Sequence, residues 1–154
     1  MPTSWRILKT KYATSPFDGE GARLNGGRWS SPGRPVVYTA DSAALATLEI
    51  LVHLLSSSTL SYYSLASAAF PSSEVTTMTP ADLPPNWQAS PAPPELQRIG
   101  DLWLDEARYA VLQVPSAIVP SDSNYLLNPQ HPGFGGFTFG PLIPYGFDPR
   151  LAKP

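Results

Sequence analysis

The chain has 154 residues, enough for one compact domain whose core needs no metal or disulfide. Apolar content is ordinary at 42%, but only 14% of residues are charged and 19 are proline, which suits a loop-rich domain and not a long-helix bundle. A net charge of −2 gives no basic footprint for nucleic-acid phosphates, and the lack of cysteine excludes disulfides, thiolate metal sites and a cysteine nucleophile.

Residues 5 to 10 fit a short strand, and the glycine- and serine-rich stretch 13 to 34 reads as a long loop, a feature that in compact domains usually carries function. Pro35 to Ala40 is β-branched and bounded by turn residues, as in a buried strand. Asp41 or Ser42 can cap a following helix. That helix is expected to reach about Leu55 and stop at Ser56-Ser57-Ser58. Leu45, Leu48, Ile50, Leu51, Val52 and Leu54 make it apolar almost all round, so it is expected to be central and buried. Strands are expected at 60 to 66 and 74 to 78, then irregular proline-punctuated chain to residue 94. A helix over 94 to 106 would bury Leu96, Ile99, Leu102 and Trp103, with proline at its start, where it is tolerated. A strand at 109 to 114 and one more within 134 to 147 complete a mixed α and β pattern in a single domain spanning 1–154. The first residues lack the apolar run of a signal peptide. The stretch from Ala43 to Leu55 is interrupted by Glu49 and His53 and is too short to span a bilayer. The expectation is a cytoplasmic protein without membrane association.

Glu49 is the sharpest residue. A carboxylate amid an apolar helix costs several kcal/mol if buried unpaired, on the order of the stability of a whole domain. It is therefore paired (with Arg28, another arginine or His53), protonated, or set in a wet pocket. Arg28 follows Gly26 and Gly27, which permit close approach of a ligand to a guanidinium able to grip phosphate or carboxylate; the same pattern also fits a surface arginine. Tyr38 is either core filler with a satisfied hydroxyl or a stacking wall. Ser116 lies in no G-x-S-x-G elbow, and His53 and His131 lack metal-ligand spacing, so neither a serine hydrolase nor a metal site is expected.

Four stretches resemble the RES domain family: GARLNGGRWSSPGRPVVYTADSAALATLEILVHL (Gly21 to Leu54), LQVPSAIVP (Leu112 to Pro120), NYLLNPQHP (Asn124 to Pro132) and FDPRL (Phe147 to Leu151). Ser30 departs from the asparagine that many relatives carry after the tryptophan. The resemblance implies an α+β fold similar to ADP-ribosyltransferases, with two small mixed sheets around an NAD cleft and a central buried helix. It implies the toxin of a RES–Xre toxin–antitoxin pair, restrained by an Xre-type helix-turn-helix antitoxin. The implied activity is NAD⁺ destruction at the nicotinamide–ribose bond, by hydrolysis or phosphorolysis, with NAD as substrate. ADP-ribosylation of a host protein is the alternative, and a catalytically silent binding module a third reading. By motif, Arg28, Tyr38, Glu49 and Ser116 are the implied catalytic residues. Arg28, Tyr38, Asn124 and Arg6 are the implied NAD-binding set. The aromatic C-terminal stretch is compatible with a homo-oligomer.

Overall fold

A computed structural model of the protein describes residues 1–53 and 62–152. The serine stop and the start of the strand expected from residue 60 lie outside these residues, whereas the helix expected to reach about Leu55 ends at Leu51, with Val52 at its C-cap. The strands are β1 (Thr3–Lys9), β2 (Val37–Ala40), β3 (Tyr63–Ala69), β4 (Val75–Thr77), β5 (Val111–Pro115), β6 (Ser123–Leu127), β7 (Thr138–Phe139) and β8 (Ile143–Tyr145). The α-helices are α1 (Glu20–Asn25), α2 (Ala43–Leu51) and α3 (Pro94–Glu106). Three elements go beyond the sequence reading: α1 inside the expected long loop, β6, and a second strand within 134 to 147, where β7 and β8 stand in place of one.

The strands form one hydrogen-bonded sheet, ordered β4-β5-β6-β2-β1-β3-β7 with β8 also on β3, in place of the two sheets expected. Every pairing is antiparallel except β4 with β5. The join between the halves is narrow. β1 and β2 meet at the pair Trp5↔Ala40, whereas β1 lies along β3 from Thr3↔Ala69 to Lys9↔Tyr63. The four residues of β2 spend their other edge wholly on β6, from Val37↔Leu127 to Ala40↔Asn124.

Because side chains alternate along a strand, β2 sorts its residues between two layers. Val37 joins an aromatic-rich cluster with Leu8, Phe17, Phe70, Leu127 and Phe137. Tyr38 and Ala40 face the other way, toward the helices. There α3 packs Leu96, Trp103 and Leu104 with Trp29, Trp87, Leu112 and Leu126. Beside it, α2 packs Leu45 and Ala46 onto Ile7, Ala40 and Leu65.

Ser42 caps α2, its hydroxyl accepting from Leu45 N at 3.0 Å. The helix is not the centrally buried element expected. It buries Leu45, Ala46 and Thr47, while Leu48 and Val52 are 39% and 60% exposed. It rests on one side of the sheet, and its apolar character exceeds what a single contact face can bury. Helix α3 begins with Pro94 and buries Leu96, Gly100, Trp103 and Leu104, with Leu102 turned to solvent. Gly100 has a steric reason to be glycine: a Cβ there would fall 1.6 Å from the carbonyl oxygen of Trp29. The contact is with backbone, which cannot swing aside as a side chain can. Gly100→Ala is therefore expected to destabilise the protein by about 3 kcal/mol, read from urea unfolding. A change under about 0.5 kcal/mol, the range of an ordinary surface substitution, would show that α3 does not sit this close to residue 29.

Candidate active site

Helix α1 ends at Gly26, whose φ of 71° lies where a side chain would be strained. The chain then makes a tight turn. Gly27 N donates to Ser30 O at 2.9 Å and Ser30 N returns to Gly27 O, so Arg28 and Trp29 stand at the tip. The Tyr38 hydroxyl holds this turn, accepting from Trp29 N at 3.0 Å and pairing with Ser30 Oγ at 2.7 Å. A Cβ on Gly27 would meet that hydroxyl at 2.5 Å, so the second glycine makes room for the tyrosine. Of the two readings of Tyr38, the satisfied hydroxyl is the one seen. Burial pushes the phenol up to about 12, partly offset by its hydrogen bonds to Ser30 and Trp29. Trp29 is buried behind the turn, and Arg28 is half-buried. Arg28 Nη1 donates to Trp87 O at 3.1 Å and to Ala89 O at 2.9 Å.

Glu49 projects from α2 and is half-buried. It forms no ion pair among the described residues, neither with Arg28 nor with His53. Its partner is Ser116, whose Oγ donates to Glu49 Oε1 at 3.2 Å. Ser116 lies just past β5 and is fully buried. Its oxygen also accepts from Ile118 N and Val119 N, both at 3.1 Å. A hydroxyl has one proton and two lone pairs, so Ser116 is saturated. It orients the carboxylate and has nothing left for a ligand.

Asn124 sits opposite both Ala40 and Val114, on the side of the sheet that carries Tyr38, and donates to Thr39 O at 3.2 Å. Arg28, Tyr38, Glu49, Ser116 and Asn124 are thus all supplied to the helix-bearing side of the sheet. Arg6 is not. Its neighbour Trp5 pairs with Ala40 on that side, so alternation turns Arg6 to the opposite one. There its guanidinium donates to Pro16 O, and burial lowers its pKa against the opposing pull of Asp18. A groove of about 430 Å³ lies near that region, lined mainly by Pro16, Phe17, Phe134, Phe139 and Leu142. None of the candidate residues lines it.

Gln97, Trp87 and Ala89, which surround the Arg28 turn, carry no signal in the sequence. Trp87 and Ala89 act through backbone carbonyls, which no side-chain pattern reveals. Gln97 is a polar helical residue indistinguishable in sequence from a solvated one.

The fold and the residues gathered on it define a mixed α+β protein with a curled sheet, a helix-borne carboxylate and a loop-borne arginine. The chain belongs to the RES domain family, whose model matches residues 3–148. It is 41% identical over 149 residues to a protein from Yersinia enterocolitica named Toxin Res, covering 96% of this chain and 97% of that one. It is 38% identical over 161 residues to a Sphingobium protein named Prs ADP-ribosylating toxin, covering 99% of both. Its fold is similar to the crystal structure of the M. tuberculosis MbcT–MbcA toxin–antitoxin complex, with a TM-score of 0.77 at 23% identity over 97% of this chain and 86% of that one.

The raised Tyr38 pKa fixes the sign of a pH effect. The folded phenol keeps its proton longer than the unfolded one, so this contribution to stability is complete below pH 10 and is lost as pH rises toward about 12. Unfolding free energy should fall more steeply over that interval for the wild type than for Tyr38→Phe, followed by denaturant titration. Parallel curves would mean the phenol is not buried in the turn.

Proposed function

We propose that this chain is the toxin of a toxin–antitoxin pair and consumes NAD⁺ by cleaving the bond between nicotinamide and ribose. The observation that carries the reading is Glu49: a carboxylate on an otherwise apolar helix, unpaired with any cation among the described residues and aimed by a saturated buried hydroxyl. Family membership and the names of the relatives support it, as does the likeness to ADP-ribosyltransferases implied by the sequence motifs.

When the nicotinamide–ribose bond breaks, its electron pair leaves with nicotinamide, a neutral base that needs no general acid. Positive charge develops on the ribose as an oxocarbenium-like state. A fixed carboxylate stabilises that charge, by about 3–4 kcal/mol if comparable to one oxyanion-hole donor. Glu49 takes this role, and Ser116 positions it. Arg28 offers its guanidinium to a phosphate of the dinucleotide. Tyr38 holds the Arg28 turn by its hydroxyl, and Asn124 lies on the same side of the sheet. Arg6, turned to the other side, has no part in this account. Water or phosphate then supplies an oxygen to the ribose carbon and gives up a proton.

A second reading, transfer of ADP-ribose to a protein, draws on the printed name of the Sphingobium relative and on the exposed apolar residues Leu48, Val52 and Ile118, which adjoin Glu49 and Ser116 in sequence. An Xre-type antitoxin is the partner proposed to restrain the activity, in the cytoplasm. Purified protein incubated with NAD⁺, with and without phosphate, should release nicotinamide. Free ADP-ribose or its phosphorylated form, against labelled protein, separates the two readings. Glu49→Gln should lower the rate about 10²–10³-fold with the fold intact. An unchanged rate with reduced stability would make Glu49 a structural residue, and no release of nicotinamide by the wild type would make this a catalytically silent module.

A further inference from the structure

We propose that Gln97 is a positioning residue for Arg28, fixing the guanidinium so that a single edge of it faces the anion. The inference rests on the reading of Arg28 as the phosphate-gripping residue.

The Gly27–Ser30 turn has two inward carbonyls, one on each side of the Arg28–Trp29 tip. Gln97 Nε2 donates to both, to Gly27 O at 3.1 Å and to Ser30 O at 3.2 Å. Both partners are acceptors, so the amide can present only its nitrogen, and its two hydrogens are both used. The flanks of the turn are fixed to the same helix. Gly100 lies against the Trp29 carbonyl, and Asp101 accepts from Ser31 N and Ser31 Oγ. Helix α3 thus holds the turn by its backbone, while Tyr38 holds it from the sheet.

The guanidinium is constrained from a third direction. Trp87 is buried, and its carbonyl together with that of Ala89 occupies Nη1. Gln88 Nε2, between them, donates to Ala117 O at 3.3 Å, tying the same segment to the residue after Ser116. Among the described residues, no protein group accepts from Nε or Nη2. Those two nitrogens form a side-on fork matched to two oxygens of one phosphate or carboxylate. The Nη1 carbonyls choose which edge is free, and Gln97 sets where the turn carrying it stands.

Two full-chain variants test this. Gln97→Glu keeps the shape but puts oxygen against two carbonyls; Gln97→Met keeps the length without a donor. Misplacing the guanidinium should raise KM for NAD⁺ about ten- to a hundred-fold, while kcat stays within about threefold because Glu49 and Ser116 are untouched. Gln97→Lys, which retains a donor, should recover most of the loss. In parallel, NMR relaxation of the Arg28 Nε–H group should show a rigid guanidinium in the wild type and a mobile one in the Glu and Met variants. Equal Arg28 rigidity in wild type and variants overturns the proposal, as does a KM that does not move. If the wild type releases no nicotinamide, the NAD⁺ reading fails, and the relaxation data still decide whether Gln97 positions Arg28.

Discussion

Ser116 has one proton to give, and it goes to Glu49. The two backbone amides of Ile118 and Val119 take the remaining valences of the hydroxyl, so its direction is set before the carboxylate is considered. This turns a costly side chain on an apolar helix into an oriented one. Without such a partner, a half-buried carboxylate would relax toward solvent. With it, one oxygen is held and the other is left to act. Preorganisation of this kind is what gives a fixed charge its value in a transition state, since no further reorganisation is needed as charge develops.

The sheet places this pair and the arginine on one side. Strand β2 does most of the sorting with four residues: Val37 and Thr39 go to the aromatic layer, Tyr38 and Ala40 to the helix layer. Its narrow join to β1 at Trp5↔Ala40 lets the two halves of the sheet curl, with α2 on one half and α3 on the other. The candidate residues come from both halves and from the loops between. Glu49 rides on α2. Arg28 rides on a turn bound to α3 and to the sheet through Tyr38. The same alternation that brings Tyr38 inward sends Arg6 to the far side, where it secures the Pro16 segment.

Local signals were legible in the sequence where the physics is local. The Ser42 cap, the Pro94 helix start and the β-branched run of β2 each depend on neighbours a few residues away. Glu49 stood out because its surroundings were wrong for a charge, and Arg28 because two glycines preceded it. What was hidden depends on contacts distant in the chain. Strand β6 is short and polar at its start, and is defined by pairing on both edges with β2 and β5. Composition alone overstated the burial of α2, since an apolar helix can still leave one side uncovered. The role of Ser116 could not be read either, because it rests on a bond to a residue 67 positions away and on two amides of its own loop.

The account's central claim is that the helix-bearing side of the sheet is the functional one. It is tested most directly by mapping where the dinucleotide binds, using NMR chemical shifts on a variant too slow to consume it. Addition of NAD⁺ should shift the indole N–H of Trp87, the Arg28 side chain and the amides of residues 116 to 119, and leave Phe17 and Phe139 unmoved. Shifts gathered instead around Phe17, Phe139 and Leu142, with the Arg28 turn silent, would place the binding site on the other side of the sheet and contradict the account.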